Sequence, residues 1–180
     1  MIEVEVKARA KIDTQERIEA LGAKPLKVEN HHDLYFNSPL RDFKMSDEAL
    51  RIRIKEEGAR LTYTGPKLDR ETKSRLEWTV KIDDPLQMEQ ILRILGFELS
   101  AEVCKRRTKY SFGDIVIALD EVEGLGIFLE AEAVGDDTNW EAQRERVLSI
   151  LTRLGLDEPI RSSYLEMLEE KRNCQNSCTH

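Results

Sequence analysis

The chain has 180 residues, of which 40% are hydrophobic and 35% charged, and a net charge of −7. That length supports one domain with a substantial core, and the acidic balance argues against a general nucleic-acid binder, whose affinity comes from basic excess. No apolar run approaches the ~20 residues needed to span a membrane, and three cysteines, Cys104, Cys174 and Cys178, cannot all pair within the chain, which points to a reducing cytoplasm.

The chain opens on strict alternation. Ile2, Val4, Val6 and Ala8 are apolar, and Glu3, Glu5, Lys7 and Arg9 are charged, so a strand here has one apolar and one charged face. Charges at positions 3, 5 and 7 also rule out a signal peptide reading. Asp13 and Glu16 form an acidic version of the capping box, Ile18 and Leu21 supply an apolar stripe, and Gly22 stops a short helix. Residues 26–36 read as a second strand, followed by a polar loop through Asp47.

Residues 49–55 alternate again, with Leu50, Ile52 and Ile54 opposed to Arg51, Arg53 and Lys55, and a turn at residues 56–58 leads into a strand at 61–64. A charged loop, 65–73, precedes a strand at 75–82 that sets Leu76, Trp78, Val80 and Ile82 against Arg75, Glu77, Thr79 and Lys81. Asp84-Pro85 is an N-cap with proline at the first helical position, and Gly96 closes that helix. Two strands follow around a turn at Gly113-Asp114, the first carrying Lys105, Arg107 and Lys109 on one face. A strand at 127–134 carries Phe128, Glu130 and Glu132, and helices are expected at 139–154, stopped by Gly155, and at 162–171, capped by Ser162 or Ser163. Segments 3–22, 75–96 and 128–155 each run from a charged/apolar strand into a helix ending at glycine, which reads as a quasi-repeat. The polar residues 171–180, with Cys174, Cys178 and His180, are expected to form a disordered tail rather than a metal site.

The helices need apolar surface, and the apolar strand faces supply it. The charged faces are then either the wet side of an open antiparallel sheet or the inside of a barrel. The charges favour the barrel. Glu3/Glu5, Glu130/Glu132, Arg51/Arg53 and Lys105/Arg107 are like-charged pairs, which cost free energy unless something of opposite sign lies between them. The expected fold is therefore α+β, an eight-stranded antiparallel closed barrel with a charged interior and helices packed outside. Clustered carboxylates without histidine or cysteine suit a hard divalent cation, Mg²⁺ or Mn²⁺. Clustered lysines and arginines suit phosphate oxygens, so a metal–polyphosphate complex satisfies both.

Glu3-Val4-Glu5-Val6-Lys7 matches the opening E-x-E-x-K signature of the CYTH family, also called triphosphate tunnel metalloenzymes, which contains class IV adenylyl cyclases and thiamine triphosphatases. Segments 32–36, 49–53, 61–67, 75–77, 105–110 and 119–132 resemble its later blocks, in the family's order. The resemblance implies a single tunnel domain over residues 1–170, binding a small-molecule triphosphate (ATP or another) and one or two divalent metals, without nucleic acid or membrane partners, as a monomer or homodimer. It implies Glu3, Glu5, Glu77, Asp120, Glu130 and Glu132 as metal ligands. Lys7, Arg51, Arg53, Lys67, Arg75, Lys105 and Arg107 would grip phosphates, with Lys7 and Lys67 also catalytic. Thr79 stands where many relatives carry glutamate, and Asn37 where an aspartate is frequent. The implied reaction is conversion of ATP to cyclic AMP and pyrophosphate. The alternatives are hydrolysis of inorganic tripolyphosphate, thiamine triphosphate or a nucleotide, and a non-catalytic triphosphate sensor.

Overall fold

In the computed structural model, which describes residues 2–67, 75–136, 138–156 and 158–177, eight antiparallel strands close into a barrel with four helices outside. The strands are β1 (Ile2–Arg9), β2 (Lys24–Asn37), β3 (Ala49–Lys55), β4 (Gly58–Lys67), β5 (Arg75–Ile82), β6 (Glu98–Phe112), β7 (Ile115–Val122) and β8 (Gly126–Gly135). Their order around the barrel is β1-β5-β4-β3-β2-β6-β7-β8, and β8 returns to β1. The helices are α1 (Thr14–Ala20), α2 (Pro85–Ile94), α3 (Trp140–Arg153) and α4 (Tyr164–Ser177). Among the described residues no helix is long and apolar enough to cross a membrane.

Alternation decides which way each side chain faces. Val4, Val6 and Ala8 of β1 and Leu129, Ala131 and Ala133 of β8 point outward and are buried beneath Val147, Ile150 and Leu151 of α3 and Leu154 at its C-cap. The alanines let the helix lie close to the sheet. Gly135 serves the same approach, because a Cβ there would meet the backbone of Trp140 at 3.0 Å. A second core gathers Leu34, Phe36, Leu50 and Ile52 around Leu92 of α2 and Phe43 of the 38–48 loop. A third lies at one end of the barrel, where Tyr35, Val103, Val122 and Phe128 meet Tyr164 of α4.

The helix ends follow the sequence with two exceptions. Asp84 caps α2 by accepting from the N–H groups of Leu86 and Gln87, and Gly22, Gly96 and Gly155 all take positive φ just past their helices. Asp13 makes no cap bond; its carboxylate is drawn to Arg17, 2.8 Å away, which removes it from the helix N–H groups. The last helix reaches Ser177, past the 162–171 expected of it, so the anticipated tail is helical up to that residue, while Cys178 and His180 lie outside the described residues. Ser163 caps it, accepting from the Glu166 N–H at 3.1 Å while Glu166 accepts from the Ser163 N–H.

The three strand–helix segments lie side by side as β8, β1 and β5. α3 packs on β8, the strand that precedes it, and on β1, whereas α2 packs against β3 and β6 rather than on β5. The outer face of β5 is left in water.

Because α3 closes the largest core, truncation of Ile150 leaves a cavity that neither the helix nor the sheet fills. Ile150→Ala is expected to cost about 2–5 kcal/mol in urea unfolding; a loss under about 1 kcal/mol would mean that α3 is not the lid of that core.

Candidate active site

The inward faces enclose a cavity of about 690 Å³, a volume suited to a nucleotide-sized ligand. Its wall includes Glu3, Glu5, Arg51, Arg53, Arg75, Glu77, Lys105, Arg107, Glu130 and Glu132. The barrel therefore brings together most of the residues that the sequence singled out. Three stand apart: Lys7, Lys67 and Asp120 do not line the cavity.

One wall is acidic. Register sets Glu5 of β1 opposite Glu132 of β8, and Glu3 lies beside β5, which carries Glu77. Burial pushes the Glu3 carboxyl well above the usual carboxylate range, and the charges of Glu77, Glu5 and Glu132 push it further. Burial raises Glu132 as well; Arg107 opposes this and Glu5 adds to it. Glu77 accepts a hydrogen bond from the Thr64 hydroxyl at 3.0 Å. These four carboxylates repel one another and offer only oxygen donors, which is the chemistry of a site for Mg²⁺ or Mn²⁺. Among the described residues no three such groups converge closely enough to form a finished metal cage, so they would have to draw inward around an ion.

Asp120 and Glu130 belong to a different arrangement. Asp120 accepts from Arg107 at 2.7 and 2.6 Å, from Lys105 at 2.7 Å and from the Tyr164 hydroxyl at 3.0 Å, and Arg107 also pairs with Glu130. All are buried. Burial brings the Lys105 ammonium down to about 8, with the Arg107 charge acting in the same direction. Burial alone would raise Asp120, but Lys105 and Arg107 hold it below its ordinary value. These two carboxylates already have cations and serve as counter-ions to the basic pair; Glu130 also shares the inward face of β8 with Glu132, whose carboxyl its charge helps to raise.

The same pattern recurs on β2 and β3. Arg53 clasps Asp33 with two bonds of 2.7 and 2.6 Å, and Arg51 lies 3.8 Å from it, with its Nε buried and unbonded. Deeper along β2, the buried Glu29 gathers Lys27, His31 at 2.8 Å, Lys55 at 3.2 Å and Lys109 at 3.3 Å.

One end of the barrel is closed by the start of α4. Lys7, wholly buried, donates to the Ser162 carbonyl and lies 4.1 Å from the centre of the Tyr164 ring. Lys67 bonds Asp47 at 2.8 Å and Glu166 at 3.3 Å, and Arg75 bonds the same Asp47 carboxylate at 3.0 Å. The 38–48 loop that carries Asp47 is braced by Asn37, whose Oδ1 accepts from the N–H groups of Ser38 and Phe43. Of the charged loop expected at 65–73, residues 65–67 continue β4 and 68–73 lie outside the described residues.

Sequence reading missed Asp33, Glu29, His31, Asp47, Tyr164 and Glu166. For Asp33, Glu29 and His31 a signal existed, since they share one face of β2 with Tyr35. For Asp47, Tyr164 and Glu166 none did, because their contacts join segments distant in sequence.

Comparison with known proteins gives a consistent picture. The CYTH domain profile matches residues 1–164. A protein of Methanocaldococcus jannaschii, named as a candidate adenylate cyclase, is 42% identical over 174 residues, covering 93% of this chain and 98% of that one. The adenylate cyclase CyaB of Aeromonas hydrophila is 30% identical over 157 residues, covering 86% of this chain and 77% of that one. Among solved structures, a Pyrococcus horikoshii protein is 41% identical with a TM-score of 0.89, covering 94% of this chain and 99% of that one. A Hippeastrum protein of the same fold, described as an adenylyl cyclase relative with a dominant triphosphatase activity, is 20% identical with a TM-score of 0.65, covering 90% of each chain.

His31 offers a test of how these charges are buried. Burial, then the charge of Arg53, brings its imidazole from 6.5 down to about 3; Lys105 and Lys55 act the same way, and the Glu29 hydrogen bond opposes them. The folded value is below the unfolded one, so between pH 6.5 and 3 the unfolded chain binds the extra proton and stability falls as pH falls. The slope from this group approaches about 1.4 kcal/mol per pH unit. Thermal melts of wild type and His31→Gln from pH 7 to 5 are expected to show a smaller loss in the variant; equal losses would mean that His31 is not held neutral.

Proposed function

The chain belongs to the CYTH family, whose members bind triphosphate substrates as cyclase-like or triphosphatase enzymes, and from that premise we propose that it converts ATP to cyclic AMP and pyrophosphate within the barrel. The single observation that carries the reading is the juxtaposition of the acidic wall with the basic pairs Arg51/Arg53 and Lys105/Arg107 around one cavity. The adenylate cyclase names of the relatives at 42% and 30% identity support the choice of reaction.

Glu3, Glu5, Glu77 and Glu132 would hold Mg²⁺ or Mn²⁺, which when bound would supply Lewis acidity toward the ribose 3′-hydroxyl. The protein does the rest by placement. Arg51, Arg53, Lys105 and Arg107 exchange part of their pairing with Asp33, Asp120 and Glu130 for phosphate oxygens, with the arginines binding two oxygens at once. This fixes the α-phosphorus in line with the attacking hydroxyl and stabilises charge developing on the pyrophosphate as the P–O bond breaks. Lys67 and Arg75 hold Asp47 in place; they reach phosphate only when that carboxylate gives way.

Hydrolysis of the triphosphate is the second reading, since the same clamp would hold the substrate for in-line attack by water. The Hippeastrum protein shows that this fold is compatible with a dominant triphosphatase activity.

Incubation of the protein with Mg²⁺ or Mn²⁺ and ATP is expected to give cyclic AMP and pyrophosphate in equal amounts. Orthophosphate without cyclic AMP, from ATP or from inorganic tripolyphosphate, would replace the cyclase reading with hydrolysis, and tight triphosphate binding without turnover would leave a sensor. Glu5→Gln is expected to lower metal-dependent turnover by roughly a hundredfold or more. The same change relieves like-charge repulsion, so the metal-free melting temperature should hold or rise. A variant with unchanged rate would place Glu5 outside the site.

A further inference from the structure

We propose that Lys27, Lys55 and Lys109 form a second anion site in the barrel, apart from the triphosphate clamp, that holds a single phosphate group in place of Glu29. The inference does not depend on which reaction the barrel performs. It starts from a cluster that neither the acidic wall nor the clamp uses. Glu29 of β2 pairs with Lys27, lies 3.2 Å from Lys55 of β3 and 3.3 Å from Lys109 of β6, and bonds His31 at 2.8 Å. Three ammonium groups from three strands thus converge on one carboxylate. That is the arrangement a small oxyanion needs.

The strands set this cluster apart from the clamp. Glu29 and Asp33 stand four residues apart on one face of β2, which is about 13 Å along the strand. The flanking strands repeat that step, with Lys55 four residues beyond Arg51 on β3 and Lys109 four beyond Lys105 on β6. The clamp cations also have acids of their own. Arg53 is bonded to Asp33, and Lys105 and Arg107 to Asp120. Both sets nevertheless line the same cavity.

Three observations point from this cluster to a ligand. The first is charge. Glu57 adds a second acid, 2.9 Å from Lys27 and 4.0 Å from Lys55, but Arg60, opposite Arg53 in the register, adds a fourth cation to the same wall. Burial lowers the Lys55 ammonium, and the charges of Lys109 and Arg53 lower it further against the pull of Glu29. The second is access. Lys27 and Glu57 are half-exposed while Glu29 and His31 are buried, so the cluster runs from water into the barrel. The third is an unmet polar atom. Nδ1 of His31 is buried without a hydrogen-bond partner among the described residues, which marks the cluster as incompletely satisfied by the protein alone. A phosphate group carries more than one negative charge near pH 7, where Glu29 carries one. Turning the Glu29 side chain aside therefore exchanges a weaker counter-ion for a stronger one.

The test is made on the metal-free full chain, in EDTA, so that the acidic wall takes no part. Orthophosphate, and separately pyrophosphate, is titrated while the imidazole NMR signals of His31, identified by their loss in His31→Gln, are followed. A saturable shift is expected, because the bond between Glu29 and His31 gives way. A shift with orthophosphate makes the occupant a free phosphate, and a shift with pyrophosphate alone makes it the end of a phosphate chain. Lys27→Gln, on a half-exposed side chain, and Lys109→Gln should together weaken the apparent affinity by roughly tenfold or more, with the circular dichroism spectrum unchanged. Arg51→Gln, in the clamp, should change it by less than about threefold. A His31 signal that neither anion moves, an affinity untouched by the two lysine changes, or an equal loss in Arg51→Gln would each overturn the proposal.

Discussion

The structure depends on the cost of taking charge out of water. An ion moved into a protein interior loses several kcal/mol of solvation unless a counter-charge and hydrogen bonds replace the water. This barrel turns whole charged strand faces inward, and the protein offsets most of that cost itself. Arg53 and Arg51 are met by Asp33, Lys105 and Arg107 by Asp120 and Glu130, and Lys27, Lys55 and Lys109 by Glu29. Apart from Lys27–Glu29, which lies within β2, the pairs run across strands, so each of those also fixes the register of its neighbours. Breaking one partner of such a pair leaves a buried charge and costs more than the pair was worth.

What the pairing leaves over supports the proposed ligand. At Glu3, Glu5, Glu77 and Glu132 the carboxylates outnumber nearby cations, and Glu3 is held far above its usual range by burial and by its neighbours. A triphosphate alone would be repelled there, and a cation alone would leave Arg51 and Arg107 with their internal partners. A metal carrying a triphosphate meets both needs. In the proposed complex the internal carboxylates Asp33, Asp120, Asp47 and Glu166 would act as placeholders, keeping basic groups extended and oriented at positions where phosphate oxygens can replace them. Lys7 has gone furthest along this route, engaged by the Ser162 carbonyl and the Tyr164 ring and absent from the cavity wall.

The barrel was legible in the sequence because alternation is local. Glu3/Glu5 and Arg51/Arg53 announce one charged face per strand, and sorted charge on many strands makes sense only if those faces meet. The same locality made the α2 cap and the glycine stops readable. Three things were not. The counter-ion for Arg53 is on β2 and that for Arg107 on β7, and i,i+2 spacing says nothing about which strand lies opposite. The start of α4 enters the barrel end by contacts more than a hundred residues apart in sequence, such as Ser162 with Lys7. Finally, Trp78 reads as a core residue by pattern, and only the path of α2 over β3 and β6 leaves it in water.

Crystals grown with Mn²⁺ and non-hydrolysable tripolyphosphate, or with a non-reactive ATP analogue, provide the most direct measurement, because anomalous scattering locates manganese without reference to activity. The account places the manganese peak among Glu3, Glu5, Glu77 and Glu132, with phosphate oxygens on Arg51, Arg53 and Arg107. A triphosphate bound outside the barrel, or manganese held away from those four carboxylates, would contradict it.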